Sequence, residues 1–170
     1  MVEIKKYLWI FSFMGGLIIL ISFLTPAATF SYQLSSLYSE FYRWMLDFYI
    51  AFDYIDGILT TIRIGLNTSF TGYISFTLSF LIIGLNTYLL ISSIRYKKIT
   101  LSPKMNWLVF PILTVMLTIA WMVMKEVSTI SSHNHSFWGL LRPGFGIIGL
   151  FTGAGLEILG YVFLKKKLRN

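Results

Sequence analysis

From Ile64 to Ile94 the chain carries no charged residue. Roughly 20 consecutive apolar residues suffice to cross the hydrocarbon core of a bilayer. A run of that length inside lipid must satisfy its own backbone polar groups, which restricts it to helix or closed barrel. Three further apolar stretches accompany it, so the expected spans lie at about 7–26, 67–94, 105–125 and 144–164. Only 12% of the 170 residues are charged and mean hydropathy is +0.72, against about 25% charged in ordinary soluble domains. The expected class is an all-α membrane protein, a bundle of four transmembrane helices forming a single domain over residues 1–170.

The first apolar run follows Lys5 and Lys6 and precedes the small residues "TPAA" at 25–28, features shared with signal peptides. It is longer than an ordinary signal core, so it reads as a retained helix. Basic residues then orient the chain. Lys5, Lys6, Arg95, Lys97, Lys98, Lys104, Lys165, Lys166, Lys167 and Arg169 fall on one side; only Arg43, Arg63, Lys125 and Arg142 fall on the other. The positive-inside rule puts both termini and the 95–104 loop in the cytoplasm, as a multi-pass protein of the plasma membrane. The net charge of +7 then marks topology and attraction to anionic lipid rather than nucleic-acid binding. Absence of cysteine excludes disulfide staples and thiol redox chemistry.

The outer loops are 27–66 and 126–143. In the first, "TFSYQL" alternates with strand period, and Asp56-Gly57 separates two β-prone runs. The turn predicts a hairpin pairing Phe48–Ile55 with Ile58–Ile64, a small extracellular β-hairpin or sheet beside the bundle. Before Phe48 a helix competes, because Leu34, Leu37, Phe41, Met45, Phe48, Phe52 and Ile55 keep nearly helical spacing. Trp44, Tyr49, Phe52 and Trp138 are the candidate outer contacts, since so many aromatics outside lipid need partners. Trp9 and Trp107 toward the cytoplasm, with Trp121 and Trp138 toward the outside, read as an aromatic belt.

The last span contains one glutamate, Glu157, among Gly146, Gly149, Gly153 and Gly160. Small residues at that spacing allow another helix to approach closely, so this is the expected helix-packing face. Glu157 should point inward, protonated or paired, with Asn86, Thr87, Tyr88 and Ser12 at comparable depth. Two readings compete: a proton- or cation-handling group on a path, or a structural glutamate, satisfied locally or snorkelling toward Lys165.

Other polar features are weaker. His133 and His135 with Glu126, Asp47 or Asp53 have loose metal-site spacing, and solvation is the default for them. Asp47, Asp53 and Asp56 are close in sequence, but Asp56 serves the turn while Arg43 and Arg63 are available to the others. Asn134 and Asn67 both match the glycosylation pattern, and Asn134 is the better placed. No nucleophile–base constellation, phosphate loop or metal motif stands out, so no catalytic residue, metal or cofactor is expected.

Four spans, cytoplasmic termini, a long strand-rich first outer loop holding Trp44 in "RWMLDF" and a short second loop with "WGLL" at Trp138–Leu141 resemble the claudin-type tetraspan architecture. The cysteine pair of claudins is absent. "ISFLTPAA" and "PGFGIIGLFTGAGLEILG" are also similar to small archaeal four-span membrane proteins. The claudin resemblance implies a non-enzymatic scaffold, adhesion or assembly subunit that associates laterally or extracellularly with itself or a membrane-protein partner. The alternative is an ion or proton channel, or a small transporter subunit, with Glu157 on its path. A lipid-directed enzyme using His133, His135 and the outer aspartates is the third.

Overall fold

The computed structural model describes residues 9–98, 105–133 and 136–168. The chain order is α1 (Trp9–Ser22), β1 (Ala28–Leu34), β2 (Leu37–Arg43), β3 (Phe48–Ile55), β4 (Ile58–Leu66), α2 (Phe70–Lys98), α3 (Asn106–His133), α4 (Phe137–Leu140), β5 (Arg142–Pro143) and α5 (Phe145–Leu168). The all-α, four-helix expectation is therefore wrong. The strands form one five-stranded antiparallel sheet in the order β4-β3-β2-β1-β5, and the protein combines helices with a substantial sheet. Among the described residues three helices, not four, are long and apolar enough to cross a membrane: Phe70–Arg95, Asn106–Ser131 and Phe145–Lys166. The described part of α1 is a shorter apolar helix of 14 residues, about 21 Å long at 1.5 Å per residue.

The sheet explains most of this correction. Asp56 and Gly57 both take positive φ, 51° and 77°, which lets β3 and β4 join in a two-residue turn. Thr60 is the extra residue of a bulge opposite Asp53 and Tyr54. The competing helical spacing from Leu34 onward gives way to β1 and β2, which pair from Ala28–Arg43 to Leu34–Leu37 around a turn where Ser35 has φ 52°. β2 is half-buried on both faces and β1 is exposed on both faces from Ser31 to Leu34, so period-two alternation is blurred and helical spacing appears by accident. The second outer segment also joins the sheet, because β5 pairs with Ala28 and Thr29. The β1–β2 and β3–β4 turns lie at one end, tied by Asp56 N–H donating to Ser36 O at 2.9 Å. At the other end β1, β4 and β5 connect to α1, α2 and α5, while β2 and β3 join each other in a turn over 44–47.

Helices α1, α5, α3 and α2 pack side by side in that cyclic order. The buried face of α2 reads Gly72, Ser75, Ser79, Ile82, Asn86, Leu89 and Ser93; that of α3 reads Trp107, Pro111, Thr114, Thr118, Trp121 and Lys125. Both follow the three-four spacing of a left-handed helix pair. Small and polar side chains face inward while Phe76, Phe80, Leu81, Met116, Ile119 and Val123 face outward. That inverts the soluble-protein pattern and fits lipid as the surrounding solvent. Trp107 and Trp121 belong to this interior, 5% and 0% exposed, rather than to an aromatic belt.

Candidate functional site

The glycines of α5 are consumed inside the chain. A Cβ on Gly153 would lie 2.5 Å from Ile19 Cγ1 and 2.6 Å from Gly15 O; one on Gly160 would lie 2.8 Å from Ser12 Oγ. Gly149 faces Ser22 and Gly146 faces Thr25 and Pro26, so α1 runs antiparallel to α5 along the whole stripe. The stripe is a helix-packing face as expected, but its neighbour is α1, which leaves no room there for a second molecule.

Glu157 projects into the gap left by Gly15 and Gly16. A Cβ on Gly15 would come 2.7 Å from Glu157 Cγ, and one on Gly16 would sit 3.2 Å from Glu157 Oε1 and 3.6 Å from Asn86 O. Glu157 and Asn86 thus flank the same glycine from α5 and α2. Glu157 is 1% exposed, and neither of its oxygens has a hydrogen-bond partner among the described residues. Asn86 donates from Nδ2 to Thr114 Oγ1 at 2.9 Å and to Ile82 O at 2.7 Å, while its Oδ1, like Ser12 Oγ and Ser79 Oγ, has no partner among the described residues. Snorkelling to Lys165 does not occur, because that ammonium sits 5.7 Å over the Tyr161 ring. Of the other neighbours expected for Glu157, Tyr88 faces outward against Phe110 and Thr87 is half-buried.

This polar layer separates two apolar clusters. One gathers Ile19, Phe23, Ala27, Met45, Ile82, Trp121, Ile147, Leu150 and Ala154; the other gathers Leu89, Trp107, Tyr161 and Leu164. Unsatisfied buried acceptors each cost on the order of 1–3 kcal/mol. The layer is therefore retained against packing, and a hard cation or a proton is what its oxygens can hold.

A second polar cluster fastens the sheet to the helices. Asp47 lies in the β2–β3 turn with φ 62° and is fully buried. Its carboxylate accepts from Arg43 Nε at 2.6 Å, Lys125 Nζ at 2.5 Å and Asn67 Nδ2 at 2.9 Å. Lys125 also lies over the Trp121 ring at 5.6 Å, and Trp121 Nε1 donates to Met45 O at 3.1 Å. Lys125, counted from sequence among the outer-side charges at the end of the third span, is 2% exposed inside α3. Its position one step beyond Thr114, Thr118 and Trp121 at the same spacing was the available signal.

The remaining sequence candidates separate. Asp53 pairs with Arg63 at 3.0 Å and accepts from Ser39 Oγ at 2.8 Å, while Asp56 holds its turn. Glu126 accepts from Ser136 Oγ at 2.6 Å and Trp138 N at 3.0 Å, tying α3 to α4. Among the described residues no group of three His, Cys, Asp or Glu could hold a metal. Asn134, His135 and the His133 side chain lie outside the described residues. Asn67 is taken up by Asp47 and by Ser69 N, which donates to Asn67 Oδ1.

The chosen outer aromatics pack within the chain. Trp44 lies against Phe48, Tyr49 against Phe41, Phe52 against Tyr42, and Trp138 against Phe137 and Trp121. What the sequence reading missed is that β4 is left unpaired on its outer side. It is one edge strand of the sheet, and its Ile58, Ile62, Ile64 and Leu66 are 70%, 52%, 67% and 58% exposed. No protein-family model matches the chain, and no curated protein matches it.

Proposed function

We propose that the chain is a non-enzymatic integral membrane protein of the cell membrane that assembles by adding the β4 edge of its extramembrane sheet to that of a second copy. The supporting observation is the nine-residue β4, unpaired on one side and studded with exposed isoleucines. Long apolar edges are templates for strand addition, and proteins that do not use them shield them with charge, proline or bulges. Here the edge carries only Arg63, which Asp53 neutralises, and the bulge at Thr60.

Self-pairing of β4 is favoured in the antiparallel sense. Centred on Ile62, it sets Ile58 against Leu66 and Arg63 against Thr61, so no like charges face each other. Parallel pairing in register would put Arg63 beside Arg63, which is unfavourable. The claudin-type resemblance, with its outer loop as the associating surface, points the same way. The sheet lies outside and the ends bearing Arg95, Lys165 and Lys166 lie in the cytoplasm, supported by the charge bias.

Ile62→Lys with Ile64→Lys should convert a detergent-solubilised dimer to monomer, weakening association about tenfold or more, as measured by light scattering coupled to gel filtration. A monomeric wild type, or a dimer untouched by the paired substitution, contradicts the proposal.

A second reading is supported by the unpartnered oxygens of Glu157 and Asn86. Glu157 would be a proton- or cation-binding group on a path through the polar layer. Proteoliposomes should then show flux that Glu157→Gln abolishes; equal flux in both removes this reading.

A further inference from the structure

The face of the sheet beside α4 forms an open groove of about 620 Å³, within the ~300–1,000 Å³ typical of small-molecule sites. Its floor includes Tyr38, Glu40 and Tyr42 of β2, and its far wall Trp138 and Arg142. The three β2 residues share one face because they alternate along the strand. Tyr38 and Tyr42 donate their hydroxyls to the two oxygens of Glu40, at 2.7 and 3.1 Å. The hydrogen bond to Glu40 raises the Tyr38 phenol above its ordinary pKa; for Tyr42 burial raises it first and Glu40 second. Both phenols therefore stay protonated and donate to the Glu40 carboxyl oxygens.

Among the described residues Glu40 has no cationic partner, whereas Asp47 and Asp53 are both ion-paired. Arg142 likewise has no anionic partner among them. Arg142 pairs with Thr29, Thr29 with Tyr42, and Glu40 is two residues along. Sheet spacing then puts the Cα atoms of Arg142 and Glu40 roughly 12 Å apart on one face. Both residues line the groove, so it carries a negative and a positive side chain about one small molecule's length apart.

The depth of the groove indicates what occupies it. Arg142 is only three residues before Phe145, where the membrane-crossing stretch of α5 begins. An arginine at that level meets lipid phosphates, while Glu40, flanked by aromatic rings, suits an organic ammonium. A ligand carrying both groups close together satisfies both ends.

We propose that this groove binds the zwitterionic headgroup of a phospholipid, its ammonium at Glu40 between Tyr38 and Tyr42 and its phosphate at Arg142. The assignment rests on the membrane placement of the sheet but not on β4 pairing, so monomeric β4 variants should bind the lipid unchanged. An anionic headgroup lacking the ammonium gains nothing at Glu40 and is repelled by it.

The test is native mass spectrometry of the full chain in detergent with equal amounts of phosphatidylethanolamine and phosphatidylglycerol of matched chains. The ethanolamine lipid should be retained about tenfold more strongly, Glu40→Gln should abolish that preference, and Arg142→Gln should weaken ethanolamine-lipid retention about tenfold. Equal retention of both lipids by the wild type, or a preference surviving in Glu40→Gln, overturns the proposal. Melting temperatures accompany each variant. If Glu40→Gln does not fold, the exposed Arg142→Gln decides, and unchanged retention there overturns the proposal. Free phosphoethanolamine at millimolar concentration should not displace the lipid; displacement would assign the groove to a soluble zwitterion and overturn the lipid assignment.

Discussion

Asp47→Ala should destabilise the protein by about 3–5 kcal/mol, the usual consequence of removing one partner from a buried ion pair. The carboxylate is the common acceptor for Arg43, Lys125 and Asn67, so its loss strands a lysine that is 2% exposed and an arginine that is largely covered. The same residue ties the β2–β3 turn to α3, which means that sheet and helices should come apart rather than merely loosen. Thermal unfolding in detergent, followed by near-UV circular dichroism of Trp121 and its neighbours, reads the effect. Lys125→Met alone should cost less, because it removes a charge and leaves Asp47 with Arg43 and Asn67. Combining Asp47→Asn with Lys125→Met should recover part of the loss, since it removes the stranded lysine and leaves only the partly exposed Arg43 without its carboxylate. Equal stability of Asp47→Ala and wild type would show that the cluster does not hold the sheet.

Gly153→Leu should be the most damaging substitution between helices. A Cβ alone already presses on Ile19 and on the Gly15 carbonyl, and the backbone atom cannot rotate away. Overpacking of this kind costs about 1–3 kcal/mol for a modest intrusion and more for a whole side chain against backbone. Gly160→Ala should be milder, because its Cβ would meet the movable Ser12 hydroxyl first. Gly84 and Gly155 supply the control: nothing lies within 4 Å of a Cβ at either helical site. Alanine there should be neutral or stabilising by about 0.5–1 kcal/mol, through helix propensity alone. Melting temperatures of the four variants rank the account; a Gly153→Leu protein as stable as Gly84→Ala would refute the α1–α5 seam.

The sequence made some of this legible for definite reasons. Asp56-Gly57 could be placed because few dipeptides tolerate positive φ at both turn positions, and β3 and β4 pair around it. The glycine stripe of α5 was readable because its spacing is a packing signal in lipid, and Glu157 and Asn86 lie inside as expected. The partner of that stripe was not readable, since Gly15 and Gly16 in α1 become meaningful only when set against Glu157. Strands β1 and β2 were obscured because neither face of the sheet is fully buried, so hydrophobic alternation never becomes strict. Asp47 and Lys125 were hidden by their separation along the chain; each looks like an ordinary surface charge until the fold brings them to 2.5 Å. The open edge of β4 depends on strand order, which no local pattern encodes.

Self-association through β4 is the central claim, and the absence of cysteine makes it directly testable. In an antiparallel pair centred on Ile62, the two copies of that residue face each other with Cβ atoms about 4.5–5.5 Å apart, close to disulfide reach. Ile62→Cys in intact membranes should therefore form a disulfide-linked dimer in high yield under mild oxidation. Phe76→Cys, on the outward face of α2, should form little. Absence of dimer from the Ile62 position, or equal yield from both positions, would contradict the account.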